Sequence, residues 1–409
     1  MPSQNLVYAD TKNNIGYTLP GKIPVRGKGD GSLPVPGWDS KHDWTGYIPQ
    51  AALPYEYNPK RGYIVTANQA VIDKDKYPYT LTTDWGYGTR SQRITDLIQS
   101  KIDGGGKIST DDMRQMQLDD SSEIAKLLVP KLLKIDEPDP DVRQAQKLLE
   151  GLGLHPGRRL GGCRLLQLGL AQHPQARLRQ QAAQGTAGQG PVHLRLAGRH
   201  DRSSRRDQPE GARVRRARRG PGAAGRRRPL VRGRPPAHGR PHQRLVDDPK
   251  SGTRPGASNM NQLFKRAMID ARWELTAKLG KDIDTWSWGR LHRLFLKNQT
   301  LGTEGPAIVQ YILNRGPWKL SGGEATVNAT GWNAAGGYGV VWVPSMRMVV
   351  NLDNFDKSKW INLTGASGHA FSAHYTDQTG KWVNGELLPW SFSSKAVDNS
   401  TSDTLVLKP

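Results

Sequence analysis

The chain has 409 residues, one cysteine and a formal charge of +22, so a disulfide framework and a thiolate metal cluster are excluded. No run approaches the roughly 18 apolar residues of a membrane span, and Met1-Pro2-Ser3-Gln4-Asn5 shows no basic-then-apolar signal pattern. The charge suggests a nucleic-acid partner until it is located: His155 to Val246 hold 22 Arg, no Lys and three acids, a net of +19, which leaves +3 elsewhere.

In chain order, Asn5 to Ala9 and Ile15 to Leu19 flank Thr11-Lys12-Asn13-Asn14 and predict a hairpin. Gly62 to Ala67 predicts a buried strand. A helix is expected from about Ser91 to Lys101, with Ile94, Leu97 and Ile98 on one face and glycines 104 to 106 ending it. Ser109-Thr110-Asp111-Asp112 caps the next helix, whose apolar spacing runs through Leu127-Leu128 to a break at Pro130. Glu137-Pro138-Asp139-Pro140 separates it from a helix at Asp141 to Leu152. Further on, Ser258 to Leu279 reads as one amphipathic helix stopped by Gly280. Tyr338 to Leu352 reads as strand, turn and strand across Pro344-Ser345, followed by a β-rich end.

The block from 155 to 246 contains no Phe, Tyr, Trp, Ile, Met, Lys or Asn, while all 29 aromatics lie elsewhere. So little apolar bulk cannot offset chain entropy, and disorder is expected. Two readings compete: an Arg-rich disordered insert, or GC-rich DNA translated out of frame. Back-translating Arg164 to Gln181 and re-reading one base later restores aromatics, amides and a helical apolar period. The same single-base offset restores ordinary composition at His242 to Asp248. The chain is therefore expected to divide into 1–153, a frameshifted and disordered segment at 154–248 that holds Cys163, and 249–409.

Several motifs then occur in order: Gly37-Trp38-Asp39 with Asp43-Trp44-Thr45-Gly46, Asn58 through Gln69, Tyr77-Pro78, and Asp84-Trp85-Gly86 with Arg90 and Arg93-Ile94-Thr95. Trp286-Ser287-Trp288-Gly289-Arg290-Leu291-His292, Pro344-Ser345-Met346-Arg347 and Ser367-Gly368-His369 to His374-Tyr375 follow. Together they resemble the penicillin acylase family of N-terminal-nucleophile hydrolases, over about 1–153 and 249–409. The resemblance implies an α+β fold, part of the four-layer αββα architecture, and the C-terminal part of a β-subunit.

Family precursors cut themselves into two chains, and the new N-terminal Ser attacks a linear amide with its own α-amine as base. That amine has a pKa of about 7.7–8.0, suited to neutral pH. The Ser would lie upstream of Met1; Ser3 would need Met1 and Pro2 removed and runs straight into the Asn5 strand. By alignment, Asn68 takes the oxyanion-hole position and Arg93 the position of the arginine that holds it in register, with Arg90 as the nearby alternative. Asp84 is a weak candidate for the structural calcium of some complete relatives; no other cofactor is implied.

The implied partners are a small-molecule amide substrate (a penicillin, an acyl-homoserine lactone or a lipopeptide side chain), the missing α-subunit and the N-terminal part of the β-subunit. No membrane partner is implied, and nucleic acid is not favoured. The complete relatives are expected to be periplasmic or secreted. Taken alone, an Asn at a strand end is a turn-former and an Arg opening a helix is a surface group. His369 and His374 have a spacing that could hold a metal on a helix, but their Gly- and Ser-rich segment reads as a structural loop. Asp119-Asp120 reads as a solvated helix face rather than a carboxylate pair. The alternatives to an inactive amidohydrolase fragment are an Arg-rich nucleic-acid binder and a catalytically silent remnant.

Overall fold

The computed structural model describes residues 3–150, 260–333 and 336–408. The segment at 154–248, and with it the expectation of disorder, lies outside them. The chain falls into one unit of 1–176 with 261–409 and a second of 177–260; apart from Met260, the second lies outside the described residues.

The architecture is α+β. β1 (Leu6–Ala9) and β2 (Ile15–Thr18) pair antiparallel from Leu6↔Thr18 to Ala9↔Ile15, as the sequence predicts. The turn closes because Asp10 Oδ1 accepts the Asn14 N–H at 2.9 Å and Asn13 tolerates φ 66. β5 (Tyr55–Tyr57) adds to β2, and β3 (Pro24–Arg26) pairs with β4 (Trp44–Tyr47). Leu19, Ile23, Ile48 and Leu53 form a small core between these elements.

Helix α1 (Thr89–Asp103) follows Gly88, which sits at φ 80, and buries Ile98. α2 (Thr110–Gln117) opens with a reciprocal capping box between Ser109 and Asp112. Its end corrects the expected break at Pro130: α2 stops at Gln117, α3 spans Glu123–Leu133, and Pro130 lies inside it. The break falls where short polar side chains capture the backbone. Asp119 Oδ1 accepts the Ser121 N–H at 3.1 Å, and Ser122 Oγ accepts the Ala125 N–H at 3.2 Å as the new N-cap.

α4 (Pro140–Lys147) starts from an Asp139 cap with Pro140 in its first turn. α5 (Met260–Leu279) ends at Gly280, φ 95. The largest core joins α3, α4 and α5 through Leu132, Val142, Leu149, Leu275 and Leu279 to Trp286, Trp288 and Tyr338.

The C-terminal part continues with α6 (Trp288–Leu291), β6 (Arg293–Leu296), α7 (Leu301–Glu304), α8 (Ala307–Leu313) and β7 (Arg315–Lys319). β6 pairs with β7, and β8 (Gly331–Trp332) with β9 (Val340–Trp342). β10 (Met346–Val349), β11 (Lys359–Asn362) and β12 (Leu388–Pro389) form a sheet in that order. Thus β9 and β10 are the two strands expected around Pro344-Ser345, but they join different sheets instead of pairing with each other. α9 (Thr379–Asn384) and α10 (Ser394–Ser400) complete the fold.

His292 is wholly buried and stacked on Trp288, ring centroids 4.6 Å apart. Burial lowers its pKa to about 4, so the ring is neutral. Nδ1 lies 2.8 Å from the Tyr338 carbonyl, which can only accept, so Nδ1 carries the proton. Nε2, 3.0 Å from Thr330 Oγ1, is then the acceptor.

The expected strand from Gly62 to Ala67 is not a ladder strand. Among the described residues its only pairing is an isolated parallel bridge, Gln69↔Gly86, just beyond its end. A strand needs a partner, and the apolar run does not itself encode one.

Candidate functional site

Asn68 stands at the tip of this extended segment. Its backbone is left-handed, φ 66, a conformation that Asn tolerates better than other side chains except Gly. Three contacts fix it there. The Gly86 N–H donates to the Asn68 carbonyl at 2.7 Å, tying the tip to the Asp84-Trp85-Gly86 loop. Gln69 clamps the chain on either side of its own turn: its Nε2 donates to the Val65 carbonyl at 2.8 Å and its Oε1 accepts the Ala67 N–H at 2.7 Å. Arg90, in the first turn of α1, donates from Nη2 to Asn68 Oδ1 at 2.5 Å.

The contact with Arg90 orients the carboxamide. A guanidinium only donates, so it selects the amide oxygen, and the Nδ2 donors are turned away from it. No other side-chain hydrogen bond to Asn68 occurs among the described residues, and the residue is exposed. Burial pushes the Arg90 guanidinium below its ordinary pKa, opposed by the charge of Glu324.

Arg93 is placed differently from the sequence expectation. Its Nε and Nη2 donate to the two oxygens of Asp119 at 3.0 and 2.7 Å, with both side chains largely buried. This fork hydrogen bonding raises the Arg93 pKa. The arginine on Asn68 is therefore Arg90, and Arg93 instead ties α1 to the break between α2 and α3. Positions 90 and 93 are neighbours on one helix, so spacing alone cannot separate them. Asp119 is what decides between them. Gln69 and Gly86 went unassigned in the sequence; the only available signal was their place next to Asn68 and in the Asp-Trp-Gly motif.

Asp119 and Asp120 do not sit on a solvated helix face. Both lie half-buried between α2 and α3. Burial, and secondarily the Asp119 charge, pushes the Asp120 carboxyl up to about 7, against a hydrogen bond with Ser321.

Asp84 is exposed, and no group of three or more His, Cys, Asp or Glu side chains able to hold a metal occurs among the described residues. His369 and His374 lie on a loop, and His374 Nδ1 is 2.9 Å from Asp377 Oδ2. No described helix is long and apolar enough to cross a membrane.

Comparison with known proteins gives this geometry a context. The chain is 26% identical over 399 residues to an acyl-homoserine lactone acylase of Pseudomonas syringae pv. syringae, covering 93% of this chain and 43% of that protein. It is also 26% identical over 427 residues to penicillin acylase 2 proenzyme of Pseudomonas sp., covering 98% of this chain and 46% of the relative. The chain thus spans less than half the length of either. A thermostable penicillin G acylase from Alcaligenes faecalis superposes with TM-score 0.57 at 18% identity, covering 100% of this chain and 68% of that one, which establishes the N-terminal-nucleophile hydrolase fold. The sequence model described as Penicillin amidase matches residues 1–399, and the chain belongs to that family.

Proposed function

We propose that residues 1–409 are the C-terminal part of the β-subunit of an acylase that hydrolyses a linear amide, its nucleophile being an N-terminal Ser from outside this sequence. The observation that carries this reading is exposed Asn68 with its carboxamide oxygen held by Arg90 and, among the described residues, no acceptor for its Nδ2 donors. When a Ser hydroxyl adds to an amide carbonyl, the oxygen gains a full charge that must be met by preorganised donors. Asn68 Nδ2 supplies one. The Ser α-amine accepts the hydroxyl proton and passes it to the departing amine, and water then releases the acyl group as a carboxylic acid. Penicillins, acyl-homoserine lactones and lipopeptide side chains are the substrate classes, in a periplasmic or secreted enzyme whose α-subunit and upstream β-segment complete the site.

The test is hydrolysis of a chromogenic phenylacetyl amide. The isolated chain gives no turnover; measurable hydrolysis by it overturns the assignment of the nucleophile to missing sequence. In the complete enzyme, Asn68→Ala lowers kcat by about 100- to 1000-fold with little change in KM. A variant that keeps its kcat removes Asn68 from the oxyanion hole.

A further inference from the structure

Glu324 stands on a loop that is anchored to α1. The loop closes where the Gly323 N–H donates to the Asn328 carbonyl at 3.3 Å, which leaves residues 324–327 as its tip. Gly322, at φ 84, opens it, and a Cβ there would stand 2.2 Å from the Asn328 carbonyl oxygen. Its base is held from two sides. The Trp288 indole N–H donates to the Gly322 carbonyl at 3.0 Å, and the Asn328 N–H donates to the Asp119 carbonyl at 2.8 Å. Asp119 is also the residue that grips Arg93, and Arg93 lies one turn along α1 from Arg90. One hub therefore fixes this loop against the helix that presents Arg90 to Asn68.

Glu324 is exposed and makes no hydrogen bond or ion pair among the described residues. Its charge still reaches the Arg90 guanidinium, where it works against the effect of burial. The side-chain contact of Arg90 is with Asn68 Oδ1, so the two charges are not joined in an ion pair. A negative charge without a contact partner thus stands beside the arginine that holds Asn68.

We propose that Glu324 sets the charge preference of the site, turning away amides whose amine portion bears a carboxylate and favouring those whose amine portion is uncharged. The inference rests on the acylase reading above and narrows its substrates. A penicillin bears its carboxylate on the amine portion, whereas the lactone ring of an acyl-homoserine lactone carries no charge. Like charges repel more strongly the closer they stand, and salt weakens the repulsion at an exposed site. The developing oxyanion also feels Glu324, but it forms on every substrate and cancels when two substrates are compared.

The experiment measures kcat/KM of the complete enzyme on two phenylacetyl anilides that differ only in the amine portion, one a benzoate and the other the matching benzamide. The wild type prefers the benzamide, and raising salt from about 0.01 M to about 1 M shrinks the preference. Glu324→Gln, a change at an exposed side chain without a contact partner, raises the benzoate-to-benzamide ratio about tenfold at low salt. Glu324→Lys reverses the preference. An unchanged ratio in Glu324→Gln, or a wild-type preference that salt leaves untouched, overturns the proposal. Asn68→Ala separates this claim from the reading it rests on. If that variant keeps both rates, the oxyanion role of Asn68 fails, while the ratio of the two anilides still reports on Glu324.

Discussion

Arg90 and Arg93 stand three residues apart on α1 and do different work, which mutation separates. Arg90→Ala frees the Asn68 carboxamide to turn, so in the complete enzyme kcat falls about tenfold while thermal stability scarcely changes. Arg93→Ala leaves the largely buried Asp119 without its guanidinium and costs about 3 kcal/mol of stability. The reverse pattern in melting and kinetic data exchanges the two roles. Asp120 predicts a pH effect with a definite sign. Its folded pKa of about 7 exceeds its unfolded value of about 3.9, so the folded state holds the extra proton between them. Stability therefore declines as pH rises from about 4 to about 7 and is flat above. Asp120→Asn removes this slope and stabilises the protein at pH 8 by about 1–2 kcal/mol after solvent screening; denaturant melts at pH 5 and pH 8 measure it, and an unchanged slope dismisses the proton. At this scale the motif singles out Asn68 in the sequence, and the structure places Arg90 on its carboxamide. The partner of each arginine was not, because Asp119 acts through a tertiary contact 26 residues away.

Segments whose signal is local came through: the β1–β2 hairpin, the Ser109 capping box, the Asp139-Pro140 start and the Gly280 stop. What failed was pairing. Val340–Trp342 and Met346–Val349 flank a turn, yet the first pairs back to β8 before it and the second on to β11 after it. Likewise the helix read as continuous to Pro130 was broken earlier, since hydrogen bonding by Asp119 and Ser122 outweighed apolar periodicity. The site depends on one such non-local join, where the Gly86 loop meets the Asn68 tip. A Cβ on Gly86 would stand 2.9 Å from the Asn68 carbonyl oxygen, so Gly86→Ala must push the tip away. Activity of the complete enzyme is expected to drop at least about tenfold with little loss of melting temperature; wild-type kcat in Gly86→Ala shows that the join does not set the geometry. β1 is the open edge of its sheet, with Leu6, Val7 and Tyr8 all exposed, and such edges invite pairing with other chains.

For the whole chain, the charge resolves into flanks that together carry only +3, interrupted by one basic block. The family match runs from 1 to 399 and so passes across 155–246. We propose that this block occupies the place of family sequence read out of frame, and that sequencing the gene through Pro249 reveals a compensating pair of indels. A gene with neither indel returns the block to an arginine-rich insert. Composition alone could show that the block is foreign to its flanks, whereas the fold of the flanks depended on pairings that composition does not carry.

The left-handed backbone at position 68 has an evolutionary corollary. Glycine would accept that conformation but offers no donor, aspartate would salt-bridge to Arg90 and repel an anion, and glutamine keeps the amide but not the ease at φ 66. Asparagine alone meets both demands, so a lineage that loses it has no single replacement at that codon and must rebuild the donor elsewhere.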